Sequence, residues 1–272
     1  MEVRKNKGLG KSLDDGGALG IFLDIGRIML ENGSEIHRIE ETIKRLGRAY
    51  GALHMDVFAI TSSIVVTMKM PDGNICTQTR RISRASSTNF TKLEEINQLS
   101  REFCSHKISI SSLGCALETV KKTPVSRVKT TAGSVLAAGF LAVFFGGSVA
   151  DGVAAGFLGL FISIFQKPLS RCCSNLFVFN FLVSLAAGAL SELICRFVPL
   201  ELNSDKIMIG GIMLLIPGLA MTNAIKDIFV GDTISGIMRF AETLLWALAI
   251  AGGFMAAFML SGFAAAFLDS KI

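Results

Sequence analysis

Between Lys206 and Phe240 the chain reads KIMIGGIMLLIPGLAMTNAIKDIFVGDTISGIMRF, an apolar run that breaks at Pro217-Gly218 and then turns polar. Asn223, Lys226, Asp227, Asp232, Ser235 and Arg239 follow at roughly helical intervals, with Glu242 just beyond. A lipid-facing helix has no use for such a series, because unpaired polar and charged groups are costly in hydrocarbon. A helix broken at Pro-Gly and lining a watery path does have a use for it. Desolvated, Asp227, Asp232 or Glu242 could take up a proton nearer neutrality than a free carboxylate does. Arg239 could meet a carboxylate on a passing molecule, or hold Asp232 in a static pair. Two plainer readings stay open: a kink used only for packing, and a solvated loop carrying these charges.

The first half offers less chemistry. Glu40 sits at the edge of an apolar helical stripe, one turn from Ile36 and Ile43, so it needs a partner. An arginine from another element could supply one, making a packing ion pair or a functional carboxylate. His37 and Glu41 share a face at ordinary surface spacing. No GxSxG, HExxH or phosphate loop is present, so an enzyme is not expected, although a membrane-tethered hydrolase remains an alternative. The six cysteines form no CxxC and no zinc-like spacing. Neither a metal nor a cofactor is expected, and free thiols are.

These residues must be positioned by two unlike halves. Residues 1–130 hold 20 of the 27 Lys/Arg and 14 of the 22 Asp/Glu, while the mean hydropathy of the whole chain is +0.54. A charged first domain, residues 1–130, is therefore followed by a membrane domain, residues 131–272. The basic start has no apolar core of signal-peptide length before Asp14-Asp15, so no cleavable signal is expected.

In the first domain, Ala18–Asn32 and Ser34–Tyr50 carry helical apolar faces, with Asn32-Gly33 as a stop and Ser34 as a cap. Met55–Met70 and Ile75–Ile82 flank Pro71-Asp72-Gly73-Asn74 and predict a hairpin, with Arg80, Arg81 and Arg84 at its end. Helices around Lys92–Cys104 and Ser109–Lys122 complete a small α+β domain. Lys121, Lys122, Arg127 and Lys129 form a basic collar suited to anionic lipid; no recognition motif points to nucleic acid.

In the second domain, about 20 apolar residues are needed per crossing. Thr131–Ala150, Asn175–Cys195, Ile207–Ala224 and Phe240–Leu268 qualify, with Asn180 and Glu192 as polar marks in the second of these. Asp151–Phe165 is short and punctuated by glycine, either a tilted span or a re-entrant piece. With the N-terminus in the cytoplasm, Lys121, Lys122, Arg127, Lys129, Lys167, Arg171, Lys226 and Arg239 lie inside, against Arg196, Lys206 and Lys271 outside. That bias favours a multi-pass bacterial inner-membrane protein of five spans with its C-terminus outside. Five spans with no internal repeat suggest a chain that works with copies of itself or with a second membrane subunit.

Two groups of residues carry a resemblance. The first is Leu23-Asp24-Ile25-Gly26, then ENGSEIHRIE from Glu31 to Glu40 with Gly33, His37, Arg38 and Glu40 as its marks, then Tyr50-Gly51 and Val57-Phe58-Ala59. The second is Pro217-Gly218, Asn223, Asp227, Gly231-Asp232, Ser235-Gly236 and Arg239. In this order they resemble the signatures of the bacterial threonine/serine exporter family. The resemblance implies an α+β cytoplasmic N-terminal domain followed by an all-α polytopic domain. Long family members carry further spans and export threonine and serine by proton-motive force. Split members stop where this chain stops, take their remaining spans from a small companion, and are associated with succinate export. The resemblance thus implies a small amino acid or dicarboxylate as substrate, with Pro217, Gly218, Asn223, Asp227, Asp232, Ser235, Arg239 and Glu242 along its path or gate. The alternative from another class is a regulatory or assembly subunit whose soluble domain senses a metabolite.

Overall fold

The computed structural model of the chain describes residues 14–82, 88–124, 126–173 and 175–269, with the last seven of these as backbone only. Arg84, the basic start before Asp14, and Lys271 lie outside the described residues. The chain divides into two compact units. One comprises the residues up to Pro124 together with Thr222–Phe240; the other comprises Val125–Met221 and the residues from Ala241 onward.

The first unit is built on α1 (Asp15–Glu31) and α2 (Ile36–Tyr50). Asp14 starts α1 by accepting a hydrogen bond from the Gly17 amide at 2.9 Å. Ile36, Ile39, Ile43 and Leu46 recur at helical spacing along α2 and are fully buried. At roughly 1.5–3 kcal/mol per buried aliphatic side chain, that stripe holds α2 in place. A three-stranded antiparallel sheet follows, in the order β1 (His54–Ile60), β2 (Ser63–Lys69), β3 (Ile75–Arg81). Met55 and Ala59 of β1 and Ile64, Val66 and Met68 of β2 alternate into the core beneath α1 and α2. The run Met55–Met70, expected as one strand, is two, because the chain turns back at Thr61-Ser62 and pairs Ile60 with Ser63. The expected turn at Pro71–Asn74 joins β2 to β3, with the Asn74 amide donating to Asp72 Oδ1 at 3.0 Å. Then come α3 (Phe90–Cys104) and α4 (Ile110–Lys122), capped by Asn89 and Ser109. Lys121 of the expected basic collar is internally paired, reaching Asp24 Oδ2 at 3.0 Å and Glu118.

The second unit packs α5 (Arg127–Phe144), α6 (Val149–Cys172), α7 (Leu176–Phe197) and α8 (Ser204–Leu215) with the part of α10 (Thr233–Asp269) from Ala241 onward. Ala138, Ala142 and Ala155 are fully buried, and a Cβ on Gly210 would lie 2.6 Å from the Ala138 carbonyl oxygen. Small residues let these helices approach backbone to backbone, which is how helices associate where water supplies no hydrophobic drive. The short run Asp151–Phe165 is part of a full 24-residue helix, which continues through Lys167 and Pro168 to Cys172. Among the described residues, four helices are long and apolar enough to cross a membrane. A fifth candidate is α8 with α9 (Gly218–Val230), a pair bent by 51° at Pro217. The chain is a helical membrane protein with a small sheet near its N-terminus.

One buried carboxylate in this unit was not singled out from sequence. Asp151, fully buried, accepts from the Ser148 amide and hydroxyl and from the Asn203 amide and side chain, at 2.8–3.2 Å. It forms a capping box at the start of α6 and ties that start to the turn before α8. The Ser148-x-x-Asp151 spacing was the available clue. Glu192 is likewise engaged, accepting from the Ser204 hydroxyl at 2.6 Å.

Candidate functional site

The turn between α1 and α2 is where the polar series converges, all of it within the first unit. Gly33 holds a φ of +87° there, and a Cβ on it would meet the Thr88 side chain at 2.8 Å, so glycine is required on both counts. Ser34, expected to cap α2, does not. Its amide instead donates to the Met29 carbonyl at 3.0 Å, which closes α1. Glu35 occupies the cap position but its side chain does not cap the helix amides, leaving the first amides of α2 to be satisfied from elsewhere.

Asp227 supplies the missing acceptor from 191 residues away. Its Oδ1 lies 3.3 Å from the Ile36 amide, and its Oδ2 receives Arg239 Nη1 at 3.0 Å. The carboxylate is 1% exposed and the Arg239 side chain 12%. A negative charge at a helix N-terminus is favourable by ~0.3–1 kcal/mol, and more when partly buried. The paired arginine offsets part of the cost of burying that charge. Arg239 Nη2 also approaches the Ser34 carbonyl at 3.5 Å, and Asn223 Nδ2 donates to the Gly33 carbonyl at 3.1 Å. Lys226 pairs with Glu35 at 3.0 Å, on a more exposed rim where such a bond contributes ~0–1 kcal/mol.

The second point of contact is β1. Glu40 pairs with no arginine among the described residues; its Oε1 accepts from the Ala59 amide at 2.9 Å, and Lys44 lies one turn along at 3.6 Å. The Ala59 carbonyl faces the Ser235 hydroxyl at 3.5 Å. At Ala59 the free edge of the sheet is therefore satisfied on its donor side by α2 and on its acceptor side by α10.

Asp232 lies between these contacts. Its amide donates to the Asp227 carbonyl at 2.9 Å, while Oδ2 is buried with no partner among the described residues. The static Arg239–Asp232 pair considered from the sequence is not formed, since Arg239 engages Asp227. The residues from Thr233 onward are helix, so the polar series is not a solvated loop. Gly236 lets α10 cross α9 at close range: a Cβ there would lie 2.8 Å from the Ala224 carbonyl oxygen and 2.9 Å from the Ile228 amide.

Of the other expected residues, Pro217 and Gly218 mark the break between α8 and α9. Glu242 is exposed on α10 in the second unit. His37 and Arg38 are exposed on α2, outside this cluster. Among the described residues no group of His, Cys, Asp or Glu is arranged to hold a metal.

Comparison with known proteins gives consistent relatives. A family model described as "Putative threonine/serine exporter" matches residues 20–261. The chain is 26% identical over 251 residues to a threonine/serine exporter of Corynebacterium glutamicum, covering 87% of this chain and 50% of that one. It is 26% identical over 237 residues to a "Probable succinate transporter subunit YjjP" of Klebsiella aerogenes, covering 86% and 90%. The protein of the same description in Escherichia coli is 24% identical over 245 residues, covering 89% and 94%. The chain thus spans about half the length of the Corynebacterium relative and nearly all of the two transporter subunits. No solved structure matches it.

Proposed function

Because this chain belongs to the threonine/serine exporter family, we propose that it is one subunit of an inner-membrane exporter for small carboxylate-bearing metabolites, threonine, serine or succinate-like. The observation that supports this most is the buried Asp227–Arg239 pair capping α2. It joins the two groups of motif residues that are farthest apart in the sequence. Its chemistry suits a gate. A substrate carboxylate reaching Arg239 competes with Asp227 for the same guanidinium. Releasing Asp227 also withdraws the acceptor from the Ile36 amide, so occupancy of the path is felt at the start of α2.

Asp232 is the proton carrier in this scheme, since its Oδ2 has no donor among the described residues and Arg239 is already engaged. Coupling to the proton-motive force follows from that assignment. Pro217-Gly218 allows the α8–α9 pair to flex, and Glu242 stands one turn beyond Arg239 on α10. The description of two relatives as a transporter subunit supports a second, smaller membrane protein or further copies of itself as partner. Residues 1–130, joined by the returning segment 222–240, face the cytoplasm, and the remaining residues of 131–272 form the membrane domain, with the C-terminus outside.

Efflux of labelled threonine and labelled succinate from cells lacking their own exporters tests the proposal. The chain is expressed alone, with a companion subunit, and as Asp227→Asn. Export only with the companion, and lost in the variant, is the expected result. Unchanged efflux of both labels in every arm would overturn it.

A further inference from the structure

A cleft on the first unit lies outside the Asp227–Arg239 cluster. It has a volume of about 170 Å³ and runs between α2, contributing Arg38, Thr42 and Arg45, and α3, contributing Asn97, Ser100 and Arg101. Its polar groups are short of partners. Ser100 is 7% exposed, and its buried hydroxyl has no hydrogen-bond partner among the described residues. Such an orphan costs ~1–3 kcal/mol unless something fills the cleft and accepts from it. The side chains of Arg38, Asn97 and Arg101 likewise take part in no hydrogen bond or ion pair among the described residues. The acidic residue on the lining, Glu41, is already paired with Arg45. Cys104, at the α3 end, stays a neutral thiol because burial pushes it up, against the lowering effect of Arg45. The cleft is thus a donor-rich cup with two uncommitted guanidinium groups, one on each wall.

We propose that this cleft binds a short dicarboxylate. Each guanidinium forks onto a planar carboxylate in two parallel hydrogen bonds, and two such groups on opposite walls suit an anion charged at both ends. Ser100 and Asn97 supply neutral donors between them. The volume, about that of five or six water molecules, admits a four- or five-carbon diacid and excludes a nucleotide. The site does not depend on the exporter reading, since none of its residues belongs to the Asp227–Arg239 cluster.

Isothermal titration of the purified full chain in detergent tests it, using succinate, propionate and inorganic phosphate at matched ionic strength. Every titration is run on the wild type and in an Asp227→Asn/Arg239→Gln background, which lacks the guanidinium of the gate, so that binding at the gate is separated from binding at the cleft. Saturable succinate binding that persists in Asp227→Asn/Arg239→Gln, and weakens tenfold or more in both Arg38→Gln and Arg101→Gln, is expected. Propionate should bind far more weakly. Both arginines are exposed, so the variants should melt with the wild type. Arg48→Gln, an exposed arginine of α2 outside the cleft, serves as the charge control. The proposal is overturned by absent succinate binding, by phosphate binding more tightly than succinate, or by equal weakening in Arg48→Gln.

Discussion

Asp227 serves two partners at once, and its substitutions separate the two services. Asp227→Asn keeps an acceptor for the Ile36 amide but leaves the Arg239 guanidinium buried and uncompensated. Breaking a buried pair from one side costs about 3–5 kcal/mol, so a large fall in melting temperature is expected, alongside lost efflux. Arg239→Gln in addition should restore part of that stability, because no lone charge remains. A double-mutant cycle read by thermal melts should therefore give a coupling of at least ~1 kcal/mol. Additivity within error would mean that the two side chains do not share their burial. Gly33→Val tests the same turn from its backbone. A β-branched residue at positive φ against Thr88 should destabilise by roughly 1–3 kcal/mol in the same assay.

At the scale of elements, α2 is a helix whose stripe is its own and whose cap is borrowed. Hydrogen exchange reads that division. In Asp227→Ala the amides at and just after Ile36 should exchange faster, while those around Ile43 and Leu46 stay protected by the core. Uniform loss of protection would mean that α2 depends on the cap for its existence. The α9–α10 corner gives a second test. Gly236→Val should push α10 off the Ala224 and Ile228 backbone and release Ser235 from Ala59, abolishing efflux while α1–α4 stay folded by circular dichroism. The stripe of α2, the Pro71–Asn74 turn and the break at Pro217 were legible because each has a local cause: periodicity, turn chemistry, a missing amide. The partners of Glu40 and Asp227 were not. Both are bound to backbone groups, Ala59 and Ile36, and a backbone amide has no letter in the sequence. Ser34 misled for the same reason, since a serine in the right place caps only if nothing better reaches the amide.

At the scale of the whole molecule, the chain leaves its first unit at Pro124, builds four helices, returns for Thr222–Phe240, and leaves again. Composition showed the division of charge between the halves but could not show this return, because residues 222–240 are no more charged than a loop or a pore lining would be. The first unit also carries a pH signature of its own. Burial, then the neighbouring Asp15, raises the Tyr50 phenol above its ordinary value of 10.0. Its neutral form is the one the fold holds, so unfolding gains as pH climbs past that value. Burial alone would lower Lys121, but its hydrogen bonds to Glu118 and Asp24 and the charges of both carboxylates together raise it above 10.5. Its contribution is complete below that value and lost as pH rises through the folded one. The two signs agree: thermal melts should show destabilisation above about pH 10, less steep in Lys121→Met. A melting temperature flat from pH 8 to about 11 would contradict both assignments.

The hydrogen bonds from Asn223 to Gly33 and from Arg239 to Ser34 also set a clock. Some 190 to 205 residues separate the partners, and a ribosome adding about 5–20 residues per second needs on the order of 10–40 s to cross that interval. Throughout it, α2 exists without its acceptor and β1 without Ser235. The nascent first unit must survive on its hydrophobic core while four membrane helices are made, and it is completed only as the last long helix emerges.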